Sequence, residues 1–214
     1  MRTKTLLLTA ALAAAGVASS LAQSVYSVNV VGYINVACQP GFTMIANQLI
    51  STNNTVDQMF TANSPDGATI LAWNQTLGTF DYNNFAFGAW DFPNATLSPG
   101  QGVMYQNPNS TPATFTFVGE VPQGANLSVA FIPGFNMVSS IVPQAGALQT
   151  DLGFAPEEGD TILKWNQHLG TYDYWFFTFG AWDPAEPTLA VGESAFVQPG
   201  GSTHGNWTRS FTVN

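Results

Sequence analysis

Apolar residues along this chain recur mostly at every second position, in short runs separated by Gly, Pro and Asn. In TILAWN (Thr69–Asn74) and TILKWN (Thr161–Asn166), Lys164 stands where the first run has Ala72. That position therefore faces outward, and Leu71, Trp73, Leu163 and Trp165 turn inward on the opposite face. NQTLGT and NQHLGT follow directly, and then Phe80/Tyr82 and Tyr172/Tyr174 alternate again. The pattern predicts hairpins closing at Gly78 and Gly170, where a positive φ costs glycine little. SPGQG (98–102) reads as a turn feeding a strand through Gln106, while FTFVG and SFTVN supply later strands. Helix is scarce: only NTVDQMFTA (54–62) has a capping Asn or Thr ahead of an apolar stripe, which predicts one or two turns.

The chain says nearly everything twice. VACQPGFTMIAN (36–47) matches VAFIPGFNMVSS (129–140), and from Asp66 to Gln106 the copies align without a gap at 158–198, with roughly half the positions identical. The predicted fold is all-β, with two tandem homologous copies of about six short strands each, at 23–120 and 121–214. Each is sandwich- or barrel-like, and the two are either separate modules or one pseudo-two-fold body. GEVPQGAN (119–126) is the expected connection. Two copies are too few for a propeller or a long solenoid. In TFDYNNFAF the aromatics change phase between Phe80/Tyr82 and Phe85/Phe87, which predicts a bulge or turn at Asn83-Asn84.

Composition then narrows the setting. Arg2 and Lys4, the apolar run Leu6–Val17 and the small residues ending at Ala22 form a secretory signal over residues 1–22. No later apolar run has the roughly 18 residues of a spanning helix. A secreted, periplasmic or cell-surface location is expected. Beyond the signal, Lys164 and Arg209 stand against 13 Asp and Glu, a formal charge of −11. Such a surface repels phosphate backbones and anionic lipid, which argues against a nucleic-acid partner. Cys38 is the single cysteine, so no internal disulfide forms. Its counterpart Phe131 marks it as a small buried apolar residue.

Catalytic motifs are weak. His168 and His204 lack metal-ligand spacing, and there is no Gly-rich phosphate loop, so no cofactor is expected. The repeated acids Asp81/Asp173 and Asp91/Asp183 sit at turns and strand ends, where carboxylates commonly accept local backbone N–H bonds. The copies disagree most where Asn83-Asn84 becomes Trp175-Phe176. If the backbones agree, two rings occupy positions that are wet in the first copy; they either form an exposed surface, which marks an interaction, or pack against the other copy. Trp175, Phe176, Tyr174 and His168 are therefore the candidate ligand-binding residues. The expected function is a noncatalytic exported module binding a glycan or an extracellular protein. The alternative is a secreted polysaccharide hydrolase using paired carboxylates such as Asp173 and Asp183.

The fragments SVYSVNVVGYIN, PGFTMIAN, FGAWD and SPGQGVMYQNP together resemble a group of secreted bacterial β-repeat proteins of verrucomicrobial type. The likeness spans nearly the whole chain after the signal. It implies export and a β-repeat fold, and it brings no catalytic residue, cofactor or ligand with it. The second copy has VGES where the first has PGQG, so the frame does not require that turn. Protein isolated from its producer is expected to begin at Gln23, which an intact-mass measurement checks; a retained Arg2–Ala22 segment would overturn the export reading.

Overall fold

A computed structural model describes residues 30–201 and 204–213. The expected signal at 1–22 lies outside them. The described chain is all-β, and its sheets are antiparallel. Its strands run in order β1 (Val31–Cys38), β2 (Gly41–Ala46), β3 (Thr69–Asn74), β4 (Thr79–Ala86), β5 (Ala89–Trp90), β6 (Gly102–Asn107) and β7 (Ala113–Glu120). They continue with β8 (Gly124–Val129), β9 (Asn136–Val138), β10 (Gly146–Ala147), β11 (Thr161–Asn166), β12 (Thr171–Thr178), β13 (Ala181–Asp183), β14 (Thr188–Leu189), β15 (Ala195–Gln198) and β16 (Trp207–Phe211). One short helix, α1 (Val56–Phe60), starts where expected, with the Thr55 side chain accepting from the Gln58 N–H.

Two five-stranded sheets form the middle, in orders β2-β6-β3-β4-β5 and β9-β15-β11-β12-β13. Two-stranded ribbons, β1-β7 and β8-β16, lie outside them. No sheet closes into a barrel. Much of the expected connection 119–126 is strand, and only residues 121–123 link β7 to β8.

Identical local sequence makes identical hairpins. Asn74 Oδ1 accepts from the N–H groups of Thr76 and Leu77, and Gly78 closes the turn at φ 64°. Asn166 does the same with His168 and Leu169, with Gly170 at φ 63°. In both, the Asn amide also donates to the facing carboxylate, Asp81 or Asp173. This side-chain mimic of a backbone turn pins the register of β3-β4 and β11-β12.

Three cores result. Ile34, Val36, Phe115 and Phe117 of the β1-β7 ribbon pack with Ile45, Ile70, Val103 and Tyr105 of the first large sheet and with Phe60 of α1. Cys38 lies here, 0 % exposed, and burial pushes its thiol up to about 12. A second core joins Val129 and Trp207 to Val138, Ile162, Ala195 and Val197. The third lies between the large sheets, where Met44, Leu71 and Met104 meet Met137, Leu163 and Phe196. Trp73 packs edge-on to Phe135 and Phe196, and Trp165 edge-on to Phe42.

The contacts across this third core are reciprocal. Ile45 bridges Glu193, and Val138 bridges Gln101. Ala46 N–H donates to Gly192 O at 2.8 Å, and Ser139 N–H to Gly100 O at 2.9 Å. A Cβ on Gly100 would sit 2.6 Å from Val129, and one on Gly192 2.5 Å from Val36. These two glycines, at φ 86° and 77°, are the part that PGQG and VGES share. The expectation that this turn is dispensable is corrected: Ser98 N–H bonds Gln101 and Ala190 N–H bonds Glu193 in the same way.

The expected bulge at Asn83-Asn84 is also corrected. β4 pairs with β3 in unbroken register from Thr79↔Asn74 to Asn84↔Thr69. Phe80 packs on the core between the sheets and Phe85 on the first core, so the two aromatic phases serve opposite faces of one regular strand. The inward placement expected for Trp73 and Trp165 leaves both only partly buried, and two further tryptophans differ between the copies. Trp73 and Trp165 are half-buried between the sheets, Trp90 is buried, and Trp182 is half-buried with its indole donating to Gln149. Phe196 touches Trp73, Phe80, Phe135 and Tyr172 across the third core. Phe196→Ala is expected to destabilise by about 3–5 kcal/mol, lowering the denaturant midpoint of both halves together in a tryptophan-fluorescence titration.

Candidate functional site

The sequence-predicted residues do not converge. Tyr174 and Phe176 share one face of β12, exposed and stacked with ring centroids 6.2 Å apart. Trp175 points to the other face, half-buried against the second core, with Lys164 Nζ 6.0 Å from its ring centroid. His168 sits in the exposed hairpin tip beyond the Asn166↔Thr171 pair, while Tyr174 opposes Leu163. At about 3.3 Å per residue, three strand positions separate those pairs by roughly 10 Å. The first copy also departs from the wet site expected there, because Asn83 is 7 % exposed.

Asn83 instead does structural work on a groove. Its Nδ2 donates to Phe92 O and its Oδ1 accepts from Phe92 N–H, both at 2.9 Å. This two-way clamp holds the segment after β5 away from the sheet face and fixes one wall of a cavity of about 770 Å³. The floor is apolar: Ile70, Ala72, Val103, and Val56 and Phe60 of α1. The rim carries Asp81, Asn94 and Thr96, with Phe92 exposed at 62 %, while Tyr82, opposite Leu71, and Asp91, opposite Asn84, turn their side chains to the other face of the sheet. Asn74 Nδ2 donates to Asp81 Oδ2 at 2.9 Å, and Asn84 Nδ2 to Asp91 Oδ2 at 3.0 Å. Each Oδ1 is without a partner among the described residues. The groove thus offers an apolar ring face and a fixed hydrogen-bond acceptor within a size typical of ligand sites.

The second half treats the same place differently. Trp175 stands at the Asn83 position and Lys164 at the Ala72 position. Lys164 Nζ reaches Thr188 O at 2.8 Å and Glu193 at 2.8 Å, so the side chain crosses the space that Ala72 leaves open. Trp175 packs beneath it. Sequence reasoning weighed the extra rings as a gained surface, whereas the gain is a filling and the vacancy lies in the other copy. The pair Ala72/Lys164 was the available signal.

Other polar clusters are accounted for internally. Asp160 is buried, accepts from Glu157 N–H and Gly200 N–H, and pairs with His204 Nε2 at 2.8 Å. The His204 ring stacks on Phe154, and its Nδ1 meets Gly205 O. Both ring nitrogens are therefore engaged inside the second half. Among the described residues no group of three or more His, Cys, Asp or Glu is placed to hold a metal ion, and no helix is long and apolar enough to cross a membrane.

The chain matches no protein-family model, no curated protein and no solved structure.

Asn83→Ala removes both arms of the clamp while leaving the strand pairing intact. It is expected to cost about 1–3 kcal/mol, the range for stranding polar backbone groups at a half-buried site. Faster amide exchange confined to the 91–97 segment checks it; uniform protection would show that the wall stands without Asn83.

Proposed function

We propose that this is an exported noncatalytic binding protein, built of two homologous β-modules, whose ligand is a neutral glycan seated in the groove of the first half. One observation carries this reading. Where the second half fills the groove with Lys164 and Trp175, the first half keeps it open with Ala72 and holds its wall with Asn83. The exposed ring of Phe92 suits a sugar face, and the free carboxylate oxygen of Asp81 suits hydroxyl donors. A chain of formal charge −9, with Asp81 at the rim of the groove, repels polyanionic glycans.

Hydrolysis is the second reading, suggested by the neighbouring acids Asp81 and Asp91, whose carboxylates nevertheless lie on opposite faces of the sheet. Against it, each carboxylate already serves as acceptor to a neighbouring Asn amide, the role of a structural acid that also binds hydroxyls.

A glycan array probed with the chain from Gln23 onward is expected to show binding to neutral saccharides without chain shortening. Asn83→Trp, which copies the second half, should reduce that binding at least about tenfold. Released reducing ends in the wild-type reaction would instead establish the hydrolase reading, and binding unaffected by Asn83→Trp would remove the groove from the function.

A further inference from the structure

The groove does not end at its own floor. A cleft of about 420 Å³ lies between the two halves, lined by Trp73, Gln101, Ser128 and Met137. It shares Ala72, Thr96, Leu97 and Val103 with the groove, so the two spaces adjoin at these residues, with Ala72 at their junction.

The second half shows what closes such a junction. Its counterparts of Ala72, Thr96 and Gln101 are Lys164, Thr188 and Glu193. Lys164 bonds the carbonyl of Thr188 and pairs with Glu193, placing a charged bar at the corresponding junction. In the first half both members of that ion pair are replaced together by neutral residues, Ala72 and Gln101. A bar without its counter-charge would leave an unpaired ion in a partly dry cleft, so the two changes belong together.

We infer that Ala72 is a specificity-determining residue: it lets an internal stretch of an extended neutral glycan chain pass from the groove into the cleft, so that the protein reads chain length and not a terminal sugar. This rests on the glycan reading of the groove. Chain segments in the groove meet Phe92 and the Asp81 carboxylate, and segments past Ala72 reach the Trp73 indole and the Gln101 amide. Neutral occupancy follows from the lost ion pair, because a charged ligand would find no opposite charge along the cleft end of the trough. The second half keeps a cleft at the equivalent place, about 270 Å³ and lined by Trp165, Glu193, Asn35 and Met44, but Lys164 and Trp175 take up the groove that would lead into it, so each chain carries one trough.

Isothermal titration with β-1,4-linked di- and hexasaccharides of glucose, mannose and N-acetylglucosamine tests the proposal. For the sugar that binds, the hexasaccharide is expected to bind wild-type protein at least about tenfold tighter than the disaccharide, at one site per chain. Ala72→Lys combined with Gln101→Glu rebuilds the bar from residues the fold already accepts. It should abolish the length gain, so that the hexasaccharide and the disaccharide bind the variant alike. Ala72→Leu, a neutral obstruction, should do the same. Equal affinity for both lengths in wild type, or a length gain that survives in both variants, overturns the trough while leaving a groove-bound glycan standing. Absence of binding to every one of these saccharides, or capture of a peptide in their place, overturns the glycan reading and the trough with it.

Discussion

Each large sheet is buried on both faces, and the rest of the structure depends on this. On one side Met44, Leu71 and Met104 press against Met137, Leu163 and Phe196; on the other, Ile45, Ile70 and Val103 meet the β1-β7 ribbon. Four layers follow: ribbon, sheet, sheet, ribbon. Face-to-face sheets need close backbone approach at their margins, and here it is supplied by Gly100 and Gly192 against Val129 and Val36. Gly102 and its counterpart Ser194 lie so close that a Cβ on Gly102 would sit 2.5 Å from Ser194 Cβ. A side chain at any of these glycines would push the sheets apart, and every apolar contact of the third core would weaken with distance.

This double burial explains what was legible in the sequence and what was not. Period-two runs, Asn-Gly hairpin tips and the cap at Thr55 depend on local chemistry, so strands, turns and α1 were readable from it. Alternation assumes one wet face, however, and a strand with two dry faces breaks that assumption without breaking its own regularity. In β4, Phe80 and Phe85 look out of phase only if one core is imagined. The same assumption read Leu71 and Trp73 as inward and left Ile70, equally buried, without a place. A second core is a tertiary fact, set by which surface the other half presents.

The candidate site was hidden for a related reason. Trp175 drew attention because an aromatic replacing Asn83 looks like added recognition surface. Its burial depends on Lys164, two positions after its own cross-strand partner Ile162 and so on the same sheet face, and on the 188–193 segment. No spacing along the chain shows that 72, 83 and 103 meet around one cavity. The structure brings them together because β3, β4 and β6 are neighbours in the sheet while the segment after β5 folds back over it.

Duplication lets the two copies divide opposing demands on one surface. A concave apolar floor left open costs the stability that filling it would bring, roughly 25 cal/mol for each Å² removed from water. The second half takes that stabilisation, with Trp175 on its core and the Lys164–Glu193 pair above it. The first half forgoes it and must hold the cavity open by other means. Its device is the Asn83–Phe92 clamp, which fixes a wall by hydrogen bonds to backbone and leaves the floor clear. The open groove thus stands inside a fold that already contains the filled version 92 residues later. The shared third core lets it persist, because the contacts of the filled half stabilise the sheet that carries the open one.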